Sequence, residues 1–222
     1  MCTMASGAWA RFYTDPAQAV FADGPTWASL EPVPFLTLLY RDNLMMHPAA
    51  WLVPRAIVDK AGPWHESLSL DDDGEYFARV VLASKGVAFC REARSYYRSG
   101  NESSLSHLAS EQGWRSQYLS IDLATRALLA VEDSPETRRA CANRFQRFVY
   151  SAYPAVPDLC DAAGKRAAEL GGSEVRPLAG PMLQPIQSLL GWRIAKRLKD
   201  MVYGQGYRRR AYLARQAKGQ NP

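Results

Sequence analysis

Apolar positions in the second half of the chain recur at helical spacing. Trp114, Tyr118, Ile121, Ala124 and Leu128 fall at three- and four-residue steps. So do Cys141, Phe145, Phe148 and Ala152, behind a Ser134-Pro135 start. Each set predicts an amphipathic helix. A third helix is predicted through Leu159 to Leu170, stopped by Gly171-Gly172. The first fifty residues read differently: Pro16, Pro25, Pro32 and Pro34 punctuate a stretch rich in aromatics. Proline this frequent predicts turns, with one short helix after Pro34 through Phe35–Tyr40. The apolar run Ala50–Val53 predicts a short buried strand, and Pro54 then opens a helix closed by Gly62-Pro63. Tyr76, Phe77, Val80 and Ala83 predict one helix after an acidic run. Two strand-like pieces follow it, Val87–Cys90 and Arg94–Arg98.

Composition makes this a globular chain: 47% of its 222 residues are hydrophobic and 22% charged. No segment approaches the roughly 18 uninterrupted apolar residues that cross a bilayer. The N-terminus has neither the basic nor the apolar region of a secretory signal. Cys2, Cys90, Cys141 and Cys160 lack CxxC spacing. That argues against a zinc site and for reduced, mostly buried thiols in a cytoplasmic protein. His65 and His107 have no partner at metal-ligand spacing.

Charge is unevenly placed. From Gly191 onward nine basic residues face one acid, Asp200, whereas the rest of the chain carries 18 bases and 21 acids. An acidic main body argues against nucleic acid as a partner. Leu190, Ile194, Leu198, Met201 and Val202 fall on one helical face, with Arg193, Lys196, Arg197 and Lys199 on the other. Such a segment suits either peripheral contact with an anionic membrane surface or docking on the domain with a solvated basic face.

The densest chemistry is Asp71-Asp72-Asp73 with Glu75, at the start of a predicted helix. One explanation is local: an N-cap aspartate accepts a backbone N–H, and further acids meet the positive end of the helix dipole. Capping needs one carboxylate, and four in five positions repel one another. The other explanation is a site that uses them.

The segment Asp72-Asp73-Gly74-Glu75-Tyr76-Phe77-Ala78-Arg79 resembles the "ED" motif of family-2 glycosyltransferases, in which an acidic pair opens a helix and an arginine follows about two turns on. Its flanks are similar too: Ala49–Arg55, Ala61-Gly62-Pro63-Trp64 and Glu66-Ser67-Leu68 before it, then Ala83–Val87 and Tyr96–Leu105 after it. The resemblance covers about residues 8–106. It implies an α/β fold: a partial GT-A, Rossmann-like domain over residues 1–106 without its N-terminal nucleotide-binding half. A mainly helical region, 107–186, and a basic amphipathic tail, 187–222, follow it.

The resemblance further implies sugar transfer from a nucleotide-sugar donor to a glycan or lipid-linked acceptor hydroxyl, with inversion. Asp73 would be the general base and Asp72 its neighbour in orienting the acceptor. Trp51, Asp71, Glu75, Arg79, Arg98, Asn101 and His47 would contact substrate. Each has an ordinary reading as well: Trp51 and Trp64, which could stack on a sugar ring, as core fillers, His47 as an ordinary surface or core histidine, Arg98 and Asn101 as a strand-end turn, and Arg79 as a helix residue that pairs with an acid or is solvated. The family's Asp-x-Asp, which holds a divalent Mg or Mn ion on the donor diphosphate, has no counterpart in the expected place, since the one Asp-x-Asp is Asp71–Asp73 itself. No apolar parallel-strand series is expected before Trp9. The expectation is therefore a truncated gene, a start assigned inside a longer reading frame, or half of a split enzyme. A non-catalytic acceptor-binding or partner-complementing module is the alternative.

Overall fold

A computed structural model describes residues 2–100, 110–177 and 184–201. The chain forms two compact units, residues 1–175 and 176–222. The first unit is mixed α/β. Strand β1 (Met4–Phe12) lies at the centre of a three-stranded sheet, antiparallel to the short β2 (Trp51–Leu52) and parallel to β3 (Val87–Arg98). Helices α1 (Pro32–Asp42), α2 (Arg55–Ala61) and α3 (Asp72–Ala83) lie in the crossover from β1 to β3. Helices α4 (Glu111–Val131), α5 (Pro135–Ala152) and α6 (Pro157–Glu169) follow.

β1 corrects the sequence expectation of turns before Trp9. Its alternation is carried by small residues: Met4, Ser6, Ala8, Ala10 and Phe12 are buried, while Ala5, Trp9 and Arg11 are half-buried. Alanine and serine give a weak strand signal, and the prolines that suggested turns all lie beyond Phe12. On the buried face Trp51 stands beside Ser6, with its ring 5.6 Å from Phe35 of α1 and stacked 5.6 Å from Phe77 of α3. That indole joins the sheet to the helices. Leu52, expected in a buried strand, is 74% exposed because β2 is an edge strand of two residues.

The two strand pieces expected at Val87–Cys90 and Arg94–Arg98 form one strand with a bulge. Gly7 pairs with Cys90, but Ala8 pairs with Arg94, leaving three residues of β3 outside the ladder. At that point a Cβ on Gly7 would lie 2.7 Å from the Ala93 carbonyl oxygen.

α4, α5 and α6 bury faces rich in small residues, among them Ala124, Ala140, Ala142, Ala163 and Ala167, around Phe145, Phe148 and Leu128. Alanine lets helix axes approach closely at little side-chain entropy cost. The Ser134 start is a capping box with Thr137. All four cysteines are free: Cys141 and Cys160 are buried as expected, whereas Cys2 and Cys90 are exposed.

In the second unit α7 spans Gln184–Leu190, and residues 192–201 are also helical. Ala195 is buried there, while Leu190, Ile194 and Met201 are exposed. Val202 lies outside the described residues. No helix among the described residues is long and apolar enough to cross a membrane.

Gly7→Ala is expected to force β1 and β3 apart at the bulge and to cost about 1–3 kcal/mol, the range for overpacking a close contact. Chemical denaturation checks this, and an unchanged midpoint would show that the bulge yields without cost.

Candidate functional site

The acidic turn is built by a helix that follows it in sequence by more than forty residues. Ser116 and Ser120 stand one turn apart on α4 and both face residues 69–71. The Ser116 hydroxyl oxygen accepts the backbone N–H groups of Ser69 (2.8 Å) and Leu70 (2.9 Å) and donates to the Leu70 carbonyl (2.8 Å). The Ser120 Oγ lies 2.7 Å from the Asp71 carbonyl oxygen and 2.9 Å from Asp71 Oδ2, its one proton shared between them. Both serines are buried. Buried hydroxyls with their hydrogen bonds made hold a turn firmly.

Asp71 is the N-cap residue of α3, but it does not cap. Its backbone is left-handed (φ 60°, ψ 25°) and its side chain makes no capping hydrogen bond. The expectation that the N-cap aspartate accepts a helix N–H is thus corrected for Asp71, whose carboxylate turns away to α4 and α5. Arg144 Nη2 of α5 donates to Asp71 Oδ2 at 2.9 Å, and the Arg144 guanidinium lies 4.5 Å over the ring of Tyr40 from α1. A non-glycine residue at positive φ costs of order 1 kcal/mol, and these bonds hold Asp71 there. Gly74 completes the arrangement. A Cβ there would run into the Asp71 carboxylate and lie 3.0 Å from Arg144 Nη2. The glycine, unfavourable inside a helix, is required by that close approach.

One turn away, Arg147 of α5 donates to the carbonyls of Tyr40 and Arg41, both at 2.6 Å. These are end-of-helix carbonyls of α1 that have few partners within their own helix. Burial pushes the Tyr40 phenol up to about 12, so it stays neutral.

Asp72 is exposed, and Asp73 is half-buried. Burial raises the Asp73 pKa first, and the charges of Asp71 and Asp72 add to the rise; the backbone N–H groups of Gly74 and of Asp73 itself oppose it. The helix start weakens the base less than its own burial and its neighbours strengthen it. The environment of Asp73 therefore favours accepting a proton.

Glu75 and Arg79 are occupied with each other. Arg79 donates to both carboxylate oxygens of the buried Glu75 (2.6 and 2.9 Å), to the Pro63 carbonyl (2.9 Å) and to the Ala61 carbonyl. This fork ties α3 to the end of α2. Trp51 belongs to the aromatic cluster with Phe35 and Phe77, and Trp64 stacks on Tyr76 at 4.1 Å. Arg98 lies over Phe12 at 5.2 Å. Asn101 and His107 lie outside the described residues. The α3 start thus gathers Asp71, Asp72 and Asp73, with the Glu75–Arg79 pair one turn on; Trp51 is joined to it through Phe77, and His47 and Arg98 make their contacts elsewhere.

His47 is half-buried on the other side of the sheet from Trp51. Its ring lies 4.9 Å from Tyr97 of β3 and 6.3 Å from Trp9 of β1. Arg11, two residues beyond Trp9, places its guanidinium 5.0 Å from the Tyr97 ring and 5.6 Å from the Trp9 ring. Sequence reasoning did not find Trp9, Arg11 and Tyr97 as a group. The available signal was the two-residue step from Trp9 to Arg11, which means a shared face only once β1 is known to be a strand. Ser116, Ser120 and Arg144 were missed because their spacing from the acids is set by tertiary packing.

Among the described residues no group of three or more His, Cys, Asp or Glu side chains is arranged to hold a metal ion. Of the acids in this turn, Asp71 is committed to Ser120 and Arg144. No family model matches the chain, and no curated protein or solved structure matches it either.

Two outcomes follow from this geometry. Arg144→Leu is expected to cost about 2 kcal/mol, less than the 3–5 typical of a fully buried pair because both partners keep some exposure. Asp71→Asn in that background is expected to restore part of the loss, and denaturation of the double-mutant cycle measures it. Asp73→Asn is expected to raise the melting temperature at neutral pH. The folded-state pKa lies above the unfolded value of 3.8, so the carboxyl's favourable contribution is present below 3.8 and is lost as pH rises through the folded value. The stability difference between variant and wild type should therefore vanish below that pH, as a pH series of thermal melts would show.

Proposed function

We propose that the chain is the acceptor-side portion of an inverting GT-A glycosyltransferase of family 2, with Asp73 as the general base. The observation that carries this reading is Asp73 itself. It is a half-buried carboxylate at a helix start, with its pKa raised, on a turn immobilised by Ser116, Ser120 and Arg144. Inverting transfer needs an acceptor hydroxyl that loses its proton as it attacks the anomeric carbon. A carboxylate poised above its ordinary pKa, and fixed in place, is suited to take that proton. Asp72 is exposed beside it and is free to accept a hydrogen bond from a second acceptor hydroxyl. Asp71, Glu75 and Arg79 act in this reading as positioning residues, because their polar atoms are already paired within the protein.

The donor would be a nucleotide sugar and the acceptor a glycan or lipid-linked hydroxyl. Ile194 and Met201, exposed on the helical segment 192–201, would contact a membrane surface bearing such an acceptor. Supply of the nucleotide-binding half belongs to the same reading.

The chain is to be assayed with nucleotide sugars, alone and joined to any in-frame sequence that precedes it. Asp73→Asn is expected to lower turnover by about 10²–10⁴-fold, the range for a general base, with the fold intact by circular dichroism. Turnover that survives this substitution would remove the base assignment. Absence of transfer in both forms would favour a module that binds the acceptor without catalysis.

A further inference from the structure

The cluster on the other sheet face has a chemistry that the carboxylate site does not use. Trp9 and Arg11 project from β1, and Tyr97 from the parallel strand β3 stands in register beside Arg11. His47 and Met45 come from the segment just before β2. These residues lie toward the carboxyl ends of two parallel strands, the end at which open α/β sheets commonly bind ligands.

Arg11 is, among the described residues, a cation without a counter-charge. Among the described residues its hydrogen bonds are one from Nη1 to the Ser99 hydroxyl (3.0 Å) and one from Nη2 to the Met45 sulfur (2.8 Å), and it forms no ion pair. A guanidinium carries five N–H donors, and a thioether is a weak acceptor that an anionic oxygen would displace. The two flanking rings hold the guanidinium by cation–π contact and fix its plane. His47 adds a second polar atom with an unmet need: its Nδ1 is buried and has no hydrogen-bond partner among the described residues.

We propose that Arg11 and His47, framed by Trp9 and Tyr97, form a binding site for a phosphate or diphosphate group, whose oxygens accept hydrogen bonds from the guanidinium and the imidazole. Phosphate suits this donor set because its oxygens match the flat fork of a guanidinium and bring the missing negative charge. The inference uses no residue of α3 and stands whether or not Asp73 is a base.

His47 links the site to pH. Burial, and then the charge of Arg11, lower its pKa from the ordinary 6.5. Among the described residues the titratable or charged groups facing it are Arg11 from β1 and Tyr97 from β3, with Tyr13 beside Arg11. A bound anion offsets the repulsion from Arg11 and favours the imidazolium. Binding therefore takes up a proton and tightens as pH falls through the His47 transition.

Isothermal titration of the whole chain with inorganic pyrophosphate and, separately, with uridine diphosphate tests the site. The nine basic residues from Gly191 onward contribute unsaturable, salt-sensitive binding, which comparison with Arg11→Gln removes. The expected result is one saturable site weakened at least about tenfold in Arg11→Gln, as loss of a charge-assisted fork requires. The tighter of the two ligands then tells a free phosphate from a nucleotide. Should Arg11→Gln not fold, His47→Gln replaces it. That variant is expected to weaken binding and to flatten its rise as pH falls below the ordinary histidine value, measured with sulfate, which does not titrate there. Saturable binding equally strong in the wild type and the folded variant, or no saturable site for either ligand, overturns the proposal.

Discussion

One carboxylate holds four helices in register. Asp71 accepts from Arg144 of α5 and from Ser120 of α4, opens α3, and through Arg144 meets the ring of Tyr40 on α1. An aspartate that merely capped its own helix would fix one end of one element. Rotated into the left-handed region, the same side chain becomes a shared acceptor between elements far apart in sequence. Its strain, the glycine at position 74 and the two serines of α4 are parts of a single constraint. If any of them were altered, the others would lose their reason.

That constraint also divides the acidic run by role. Arg144 compensates the charge of Asp71, so the turn can carry three carboxylates in a row. Asp72 is left to solvent and Asp73 to a partly dry position. The same burial that raises the Asp73 pKa works against the folded state at neutral pH. The Glu75–Arg79 fork then fixes the helix one turn further on, so the carboxylates sit on a rigid support rather than on a mobile loop.

Much of the architecture could be read along the chain. The helices at Pro135–Ala152 and Asp72–Ala83 emerge close to their expected bounds because periodicity agrees with a proline start in the first and a glycine stop after the second. β1 escaped because a strand built from Ala, Ser and Gly has no hydrophobic alternation to show. At the site, the acids were conspicuous by composition, but the identity of their holders was not. Ser116, Ser120 and Arg144 look like ordinary helix residues until α4 and α5 are packed against α3. Likewise, Arg79 was expected either to pair or to be solvated, and the pairing depended on where the carbonyls of Ala61 and Pro63 fall.

The bulge in β3 has an effect beyond its own few residues. Were the ladder to continue regularly from Gly7 opposite Cys90, Arg11 would stand beside Arg94, two like charges directly across a sheet. Skipping three residues shifts the pairing so that Tyr97 takes that place, and repulsion gives way to a cation on an aromatic face. The close passage at Gly7 thus acts as a register key: a single residue without a side chain decides, four positions later, which chemistry the end of the sheet displays.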